Sequence, residues 1–120
     1  MRNQGFVFQI QNECVVASIQ NDLDESLLTR LKNELLSYCS KNPIIGIILD
    51  FSAIRTIDKS EFEEIRKIIV SAKIMGHKCV ISGMGAGVVA YLVAAEVNLN
   101  GVISFRNLDQ AIRAFNQQMD

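Results

Sequence analysis

The sequence predicts an α/β domain: a mixed, mostly parallel sheet with an N-terminal hairpin and covering helices, in the order ββαβαβαβα. Three observations carry this reading. Short β-branched runs alternate with longer stretches whose apolar residues recur at helical spacing. The run Ile44–Leu49 is apolar on both faces, as a strand in a helix-covered sheet must be. The connecting loops are short, which suits parallel crossovers.

Each element has its own local reason. Phe6–Ile10 alternates and Cys14–Ile19 is rich in β-branched residues; separated by Gln11, Asn12 and Glu13, they form a hairpin that supplies an edge strand. Asp22 or Asp24 starts a helix in which Leu27, Leu28, Leu31, Leu35 and Leu36 recur at helical spacing, and Asn42-Pro43 stops it. Asp50 ends the strand Ile44–Leu49. Asp58 begins a second helix, with Phe62, Ile65, Ile69 and Ala72 on one side, Glu63, Glu64 and Lys67 on the other, and Gly76 at its end. Cys79–Ile81 reads as a buried strand, Ala86–Glu96 as an apolar helix and Val102–Phe105 as a short strand. Asn107 caps a last helix carrying Leu108, Ala111, Ile112 and Phe115.

Composition sets limits on function. The 120 residues, 49% of them hydrophobic, suffice for one packed core, and a single domain over residues 1–120 is expected. With 12 basic against 13 acidic residues there is no cationic excess to release counterions, so nucleic acid is not an expected partner. Cys14, Cys39 and Cys79 form no CxxC pair and share the chain with one histidine, His77; neither a disulfide framework nor a zinc site is expected. Gln and Asn interrupt the N-terminal apolar residues, unlike a secretory signal. The uncharged stretch Cys79–Ala95 is broken by Gly83, Gly85 and Gly87, unlike a membrane span. A cytoplasmic location without membrane contact is the expectation.

Four places bear on chemistry. The run from Ser82 to Ala90, SGMGAGVVA, places Gly85, Gly87 and Ala90 as G-x-G-x-x-A, which holds a pyrophosphate on backbone amides in dinucleotide-binding folds. That makes a small-ligand or nucleotide-binding domain using the Gly85–Ala90 turn the alternative function. Against it, the motif lies in the last third of the chain, and no acidic residue ends the following strand, Asp109 falling inside the last helix. Asp50 and Asp58 flank the loop FSAIRTI and could pair on a metal, but ending a strand and capping a helix accounts for both. His77 has no sequence cue for a nucleophilic partner. At the helix start, Asp58 and Glu61 have capping-box spacing, which leaves Ser60 in the first turn.

These parts, in this order, resemble a known family. The segment IILDFSAIRTIDKSEFEEIRKIIVSAKIMGHKCVISGM is similar to the core of STAS domains, the bacterial anti-sigma-factor antagonists. Their pattern is an apolar strand, D-[LF]-[ST], then [IVM]-D-[ST], a helix, and a strand entering a G-[IM] turn. It is matched by Ile44–Leu49, Asp50-Phe51-Ser52, Ile57-Asp58, the helix from Lys59, and Val80 to Met84. VVASIQNDLDE and NLDQAIRAF resemble the RsbS-like scaffold members of that family.

The resemblance implies regulation by contact and no catalytic residue, cofactor or metal. It implies an RsbT-type serine kinase and RsbR-type sensor STAS proteins as partners, in a homo- or hetero-oligomeric, stressosome-like assembly. It also implies a phosphoacceptor at the start of the helix after the I-D pair. RsbS-like proteins usually carry serine directly after that aspartate, where this chain has Lys59; Ser60, one position on, matches the acceptor of other antagonists. Ser82, in the strand before the glycine turn, is the second candidate. Asp58, Lys59, Ser60, Glu63 and Glu64 are the implied partner-binding residues. The turn also departs from the family's frequent G-I-x-P, reading Gly83-Met84-Gly85-Ala86.

Overall fold

The computed structural model describes residues 5–20 and 23–117. Nine elements follow the expected order: β1 (Phe6–Gln11), β2 (Cys14–Ile19), α1 (Glu25–Lys41), β3 (Gly46–Asp50), α2 (Lys59–Ile74), β4 (Cys79–Ser82), α3 (Ala86–Ala94), β5 (Ser104–Phe105) and α4 (Leu108–Asn116). Asp24 caps α1, its carboxylate accepting from the Leu27 N–H at 2.7 Å. Asp22, the other expected cap, lies outside the described residues.

The five strands lie in the order β1-β2-β3-β4-β5, with β1 antiparallel to β2 and the remaining neighbours parallel. Each crossover therefore steps one strand in the same direction. Right-handed crossovers that never reverse place α1, α2 and α3 on one face of the sheet. Alternate strand residues confirm this. Val15, Ala17, Ile47, Leu49 and Ile81 share a core with Leu28, Leu31, Ile65 and Leu92 from the three helices. Val16, Ile48 and Val80 point the other way, onto Ala111 and Phe115 of α4. All four parallel strands consequently end at the same edge of the sheet, where the loops to α2 and α3 begin.

Helix ends show how local chemistry and packing share control. α2 ends in a Schellman turn: Gly76 has φ of 92°, its N–H donates to the Lys73 carbonyl, and the His77 N–H donates to that of Ala72. α3 ends in the same turn, two residues short of the expected Glu96, with Glu96 itself at φ of 57°. There the Glu96 N–H donates to the Val93 carbonyl and the Val97 N–H to that of Leu92. Burial of Val97 against the core supplies the hydrophobic contact that holds a non-glycine residue left-handed. β5 is also shorter than the expected Val102–Phe105, because the Val102 N–H turns back to the Leu99 carbonyl. β3 is shifted instead: Ile45 is exposed, and Asp50 joins the ladder opposite Ser18 and Ser82.

These paired endings make opposite predictions. Glu96→Gly should raise the free energy of unfolding by about 1 kcal/mol, and Gly76→Ala should lower it by a similar amount. Urea unfolding of the two variants checks both signs; a destabilised Glu96→Gly protein would contradict the left-handed assignment.

Candidate functional site

The common strand edge carries two polar clusters. In the first, Asp50 at the end of β3 collects three donors on one carboxylate oxygen. Its Oδ1 accepts from Ser52 Oγ at 2.7 Å, from Ser82 Oγ at 3.0 Å and, at 3.4 Å, from the Ser52 N–H. Backbone bonds reinforce the junction: the Phe51 N–H donates to the Ser82 carbonyl at 2.8 Å, and the Ile54 N–H to the Phe51 carbonyl at 2.9 Å. Ser82 is fully buried, at 0% exposure. Gly83 follows it with φ of 75°, and a Cβ there would run into Ser52 Oγ and come within 3.1 Å of Asp50 Oδ1. Only glycine lets β4 leave the sheet this close to the Asp50 loop.

The second cluster begins α2. Asp58 has extended backbone and closes the expected capping box: its Oδ1 accepts from the Glu61 N–H at 2.8 Å, and Glu61 Oε1 accepts from the Asp58 N–H at 3.0 Å. Ser60 Oγ donates to the same Asp58 oxygen at 3.2 Å and is exposed. Lys59 is exposed beside it, and Glu63 and Glu64 are half-buried along the helix, Glu64 pairing with Lys67 at 3.0 Å. The two candidate acceptors thus sit in opposite environments. The Ser60 hydroxyl faces solvent at a helix start, whereas that of Ser82 is sealed inside and committed to Asp50.

An open groove of about 460 Å³ separates α2 from α3, lined by Arg55, Thr56, Ile57, Asp58, Glu61, Gly87, Val88 and Tyr91. Its α3 wall is the expected apolar helix, only partly buried. Val88 and Leu92 are buried, but Val89, Tyr91 and Val93 are exposed, the last two at 44% and 60%. No charged side chain lies on α3 from Ala86 to Ala94. Sequence reading finds the apolar helix but not its outward face, because the run is apolar all round and has no stripe to orient it.

The remaining candidates separate. His77 is half-buried at the start of β4, the far end of that strand from Ser82. The carboxylates of Asp50 and Asp58 are each engaged by serines and amides of their own cluster. No group of three or more His, Cys, Asp and Glu side chains is placed to hold a metal among the described residues. All three cysteines are buried, and burial pushes their thiols up, Cys79 furthest, away from the reactive thiolate. At the glycine turn, Gly85 caps α3 in ordinary extended conformation without a side-chain bond. The unreversed strand order also creates no switch-point crevice of the kind that binds dinucleotides. No described helix is long and apolar enough to cross a membrane.

The Asp50 cluster yields a graded prediction. Ser82→Ala removes one of the donors and should cost about 1 kcal/mol. Gly83→Ala adds backbone strain to a clash with Ser52 and should cost about 2 kcal/mol or more. Denaturant midpoints of the two variants give the order; equal stability with the parent chain would contradict the cluster's role.

The profile of the STAS domain family matches residues 6–112. A serine-to-glutamate variant of RsbS from Moorella thermoacetica superposes with a TM-score of 0.80 at 22% identity, over 94% of this chain and 96% of that one. A chain from a structure of the stressosome, described as a signal integration and transduction hub, gives 0.77 at 21% identity over 93% and 97%. The anti-sigma factor antagonist SpoIIAA in its unphosphorylated form gives 0.74 at 13% identity over 93% and 96%. No curated protein matches the sequence significantly. With the strand order and the profile match extending from β1 into α4, the chain belongs to the STAS domain family.

Proposed function

We propose that this chain is a non-enzymatic regulatory scaffold of a stress-response partner-switching pathway. It binds and sequesters a switch serine kinase of the RsbT type, assembles with RsbR-type sensor STAS proteins into a stressosome-like complex, and releases the kinase once Ser60 carries phosphate. One observation carries the reading: an exposed serine hydroxyl stands on the first turn of α2, beside a groove whose other wall is an uncharged, exposed apolar helix. Asp58, Lys59, Ser60, Glu63 and Glu64 supply the polar part of the contact, and Tyr91 with its α3 neighbours supplies the apolar part. SpoIIAA, a neighbour of the same fold, is also known in a phosphorylated form, at a TM-score of 0.66 and 13% identity.

The electrostatics suit a switch that acts on a partner more than on the fold. Phosphate adds about −1.5 to −2 charges. At a helix start it meets free amides and the positive dipole end, worth about 0.3–1 kcal/mol when exposed. Asp58, whose carboxylate lies 3.2 Å from the Ser60 hydroxyl, and Glu61 oppose it, while Lys59 and Arg55 offset them. The terms are small and of opposite sign, so the domain keeps its fold. A docked surface, by contrast, must desolvate or match the new charge. Ser82 has no comparable route to a kinase while its hydroxyl stays sealed against Asp50.

The test compares two substitutions in binding to an RsbT-type kinase. Ser60→Ala should bind like the parent chain, whereas Ser60→Asp should weaken binding about tenfold or more, with stability changed by under about 1 kcal/mol. Calorimetric titration and thermal unfolding measure the two quantities. Unchanged affinity in Ser60→Asp would remove Ser60 as the switch.

A further inference from the structure

The open margin of β1 lies outside that reading and raises a separate question. The hairpin turns through Asn12 and Glu13, both left-handed at φ of 51° and 69°, which is a two-residue type I′ connection. In such a hairpin the residues flanking the turn exchange both backbone bonds, and bonded pairs then recur every second residue. From Gln11↔Cys14 the series runs through Gln9↔Val16 and Val7↔Ser18. The Gln20 N–H donating to the Gly5 carbonyl at 2.8 Å continues it. The N–H and C=O groups of Phe6, Phe8 and Ile10 therefore point away from β2, along an edge where the sheet has no further strand among the described residues.

Sheets normally guard such edges with short strands, charges, prolines or bulges. The β5 margin is guarded: it is two residues long and Arg106 follows it. β1 has none of these devices. Its six residues, FVFQIQ, pair with β2 in unbroken register, carry no charge or proline, and leave Val7 and Ile10 at 46% and 51% exposure.

We propose that β1 pairs antiparallel with β1 of a second copy of this chain, about a two-fold axis at Phe8, making one continuous sheet across the dimer. The strand is complementary to itself in that register. Phe8 faces Phe8 and Phe6 faces Ile10 of the other copy, so the outward-pointing groups of all three residues meet in bonded pairs. Ile10 gains an apolar neighbour on the face that carries α1, α2 and α3, Val7 meets Gln9 on the other, and no like charges oppose. A strand contact buries less than the roughly 1,200 Å² of a standard stable complex, so the dimer forms and dissociates with concentration. The proposal does not rest on the kinase reading, because β1 and β5 are opposite margins of the sheet and α3 leads into β5.

Sedimentation equilibrium of the full chain, from micromolar to millimolar concentration, with amide hydrogen exchange at both extremes, tests it. The mass should approach that of a dimer. The amides of Phe6, Phe8 and Ile10 should gain protection as it does, while those of Val7 and Gln9 are protected throughout. Ile10→Lys, and Ile10→Pro, which removes only an outward N–H, should weaken association about tenfold or more, each checked for folding by circular dichroism. Val93→Lys on α3 should leave it unchanged. A monomer at millimolar concentration, or a dimer in which the Phe6, Phe8 and Ile10 amides still exchange freely, overturns the proposal; the wild-type exchange pattern decides even if a variant fails to fold.

Discussion

One carboxylate oxygen organises the edge of the sheet where the loops to α2 and α3 begin. Asp50 Oδ1 accepts from Ser52 in the loop to α2 and from Ser82 at the end of β4, adding a side-chain bridge to the backbone bond by which the Phe51 N–H already holds the Ser82 carbonyl. A buried serine hydroxyl without a partner would cost about 1–3 kcal/mol, so this bridge is a condition of closing β4 against β3. Its consequences run outward. Phe51 and Ile54 turn the chain, Ile57 anchors it in the core, and Asp58 is delivered to the position from which it caps α2. The exposed Ser60 owes its place to that sequence of contacts.

The same edge combines two kinds of surface. The start of α2 is polar, dense in carboxylates and closed upon itself by the capping box. The neighbouring α3 is apolar on its outer side and held by Val88 and Leu92. Val89, Tyr91 and Val93 on this uncharged helix leave apolar area that packing among the described residues does not cover. In the scaffold role proposed above, apolar contact supplies the affinity and the charged rim that carries Ser60 supplies its control, in adjacent places. The fold earns this by stepping every crossover the same way, which puts α1, α2 and α3 on one face and their entry loops on one edge.

Much of this was legible because the sequence states it locally. The leucines of α1 recur at helical spacing, Asp58 and Glu61 carry the capping box, and Gly76 marks the end of α2. What escaped reading depends on contacts between distant segments. Glu96 ends α3 as a glycine would, because Val97 is buried beside Leu92. Ser82 stands out in the sequence as a candidate acceptor, but its burial shows only once Asp50, 32 positions earlier, is placed against it. The type I′ turn was hidden because Glu13 occupies a left-handed position usually given to glycine. Outward and inward faces of α3 could not be told apart in a helix without polar residues.

The account turns on two serines in contrasting states, one offered to solvent and one withheld. Incubating the folded chain with an RsbT-type kinase and ATP, then locating phosphate by mass spectrometry, tests that contrast most directly. The account predicts phosphate on Ser60 and none on Ser82 so long as the domain stays folded. Phosphate on Ser82 alone, or on neither serine, would contradict it.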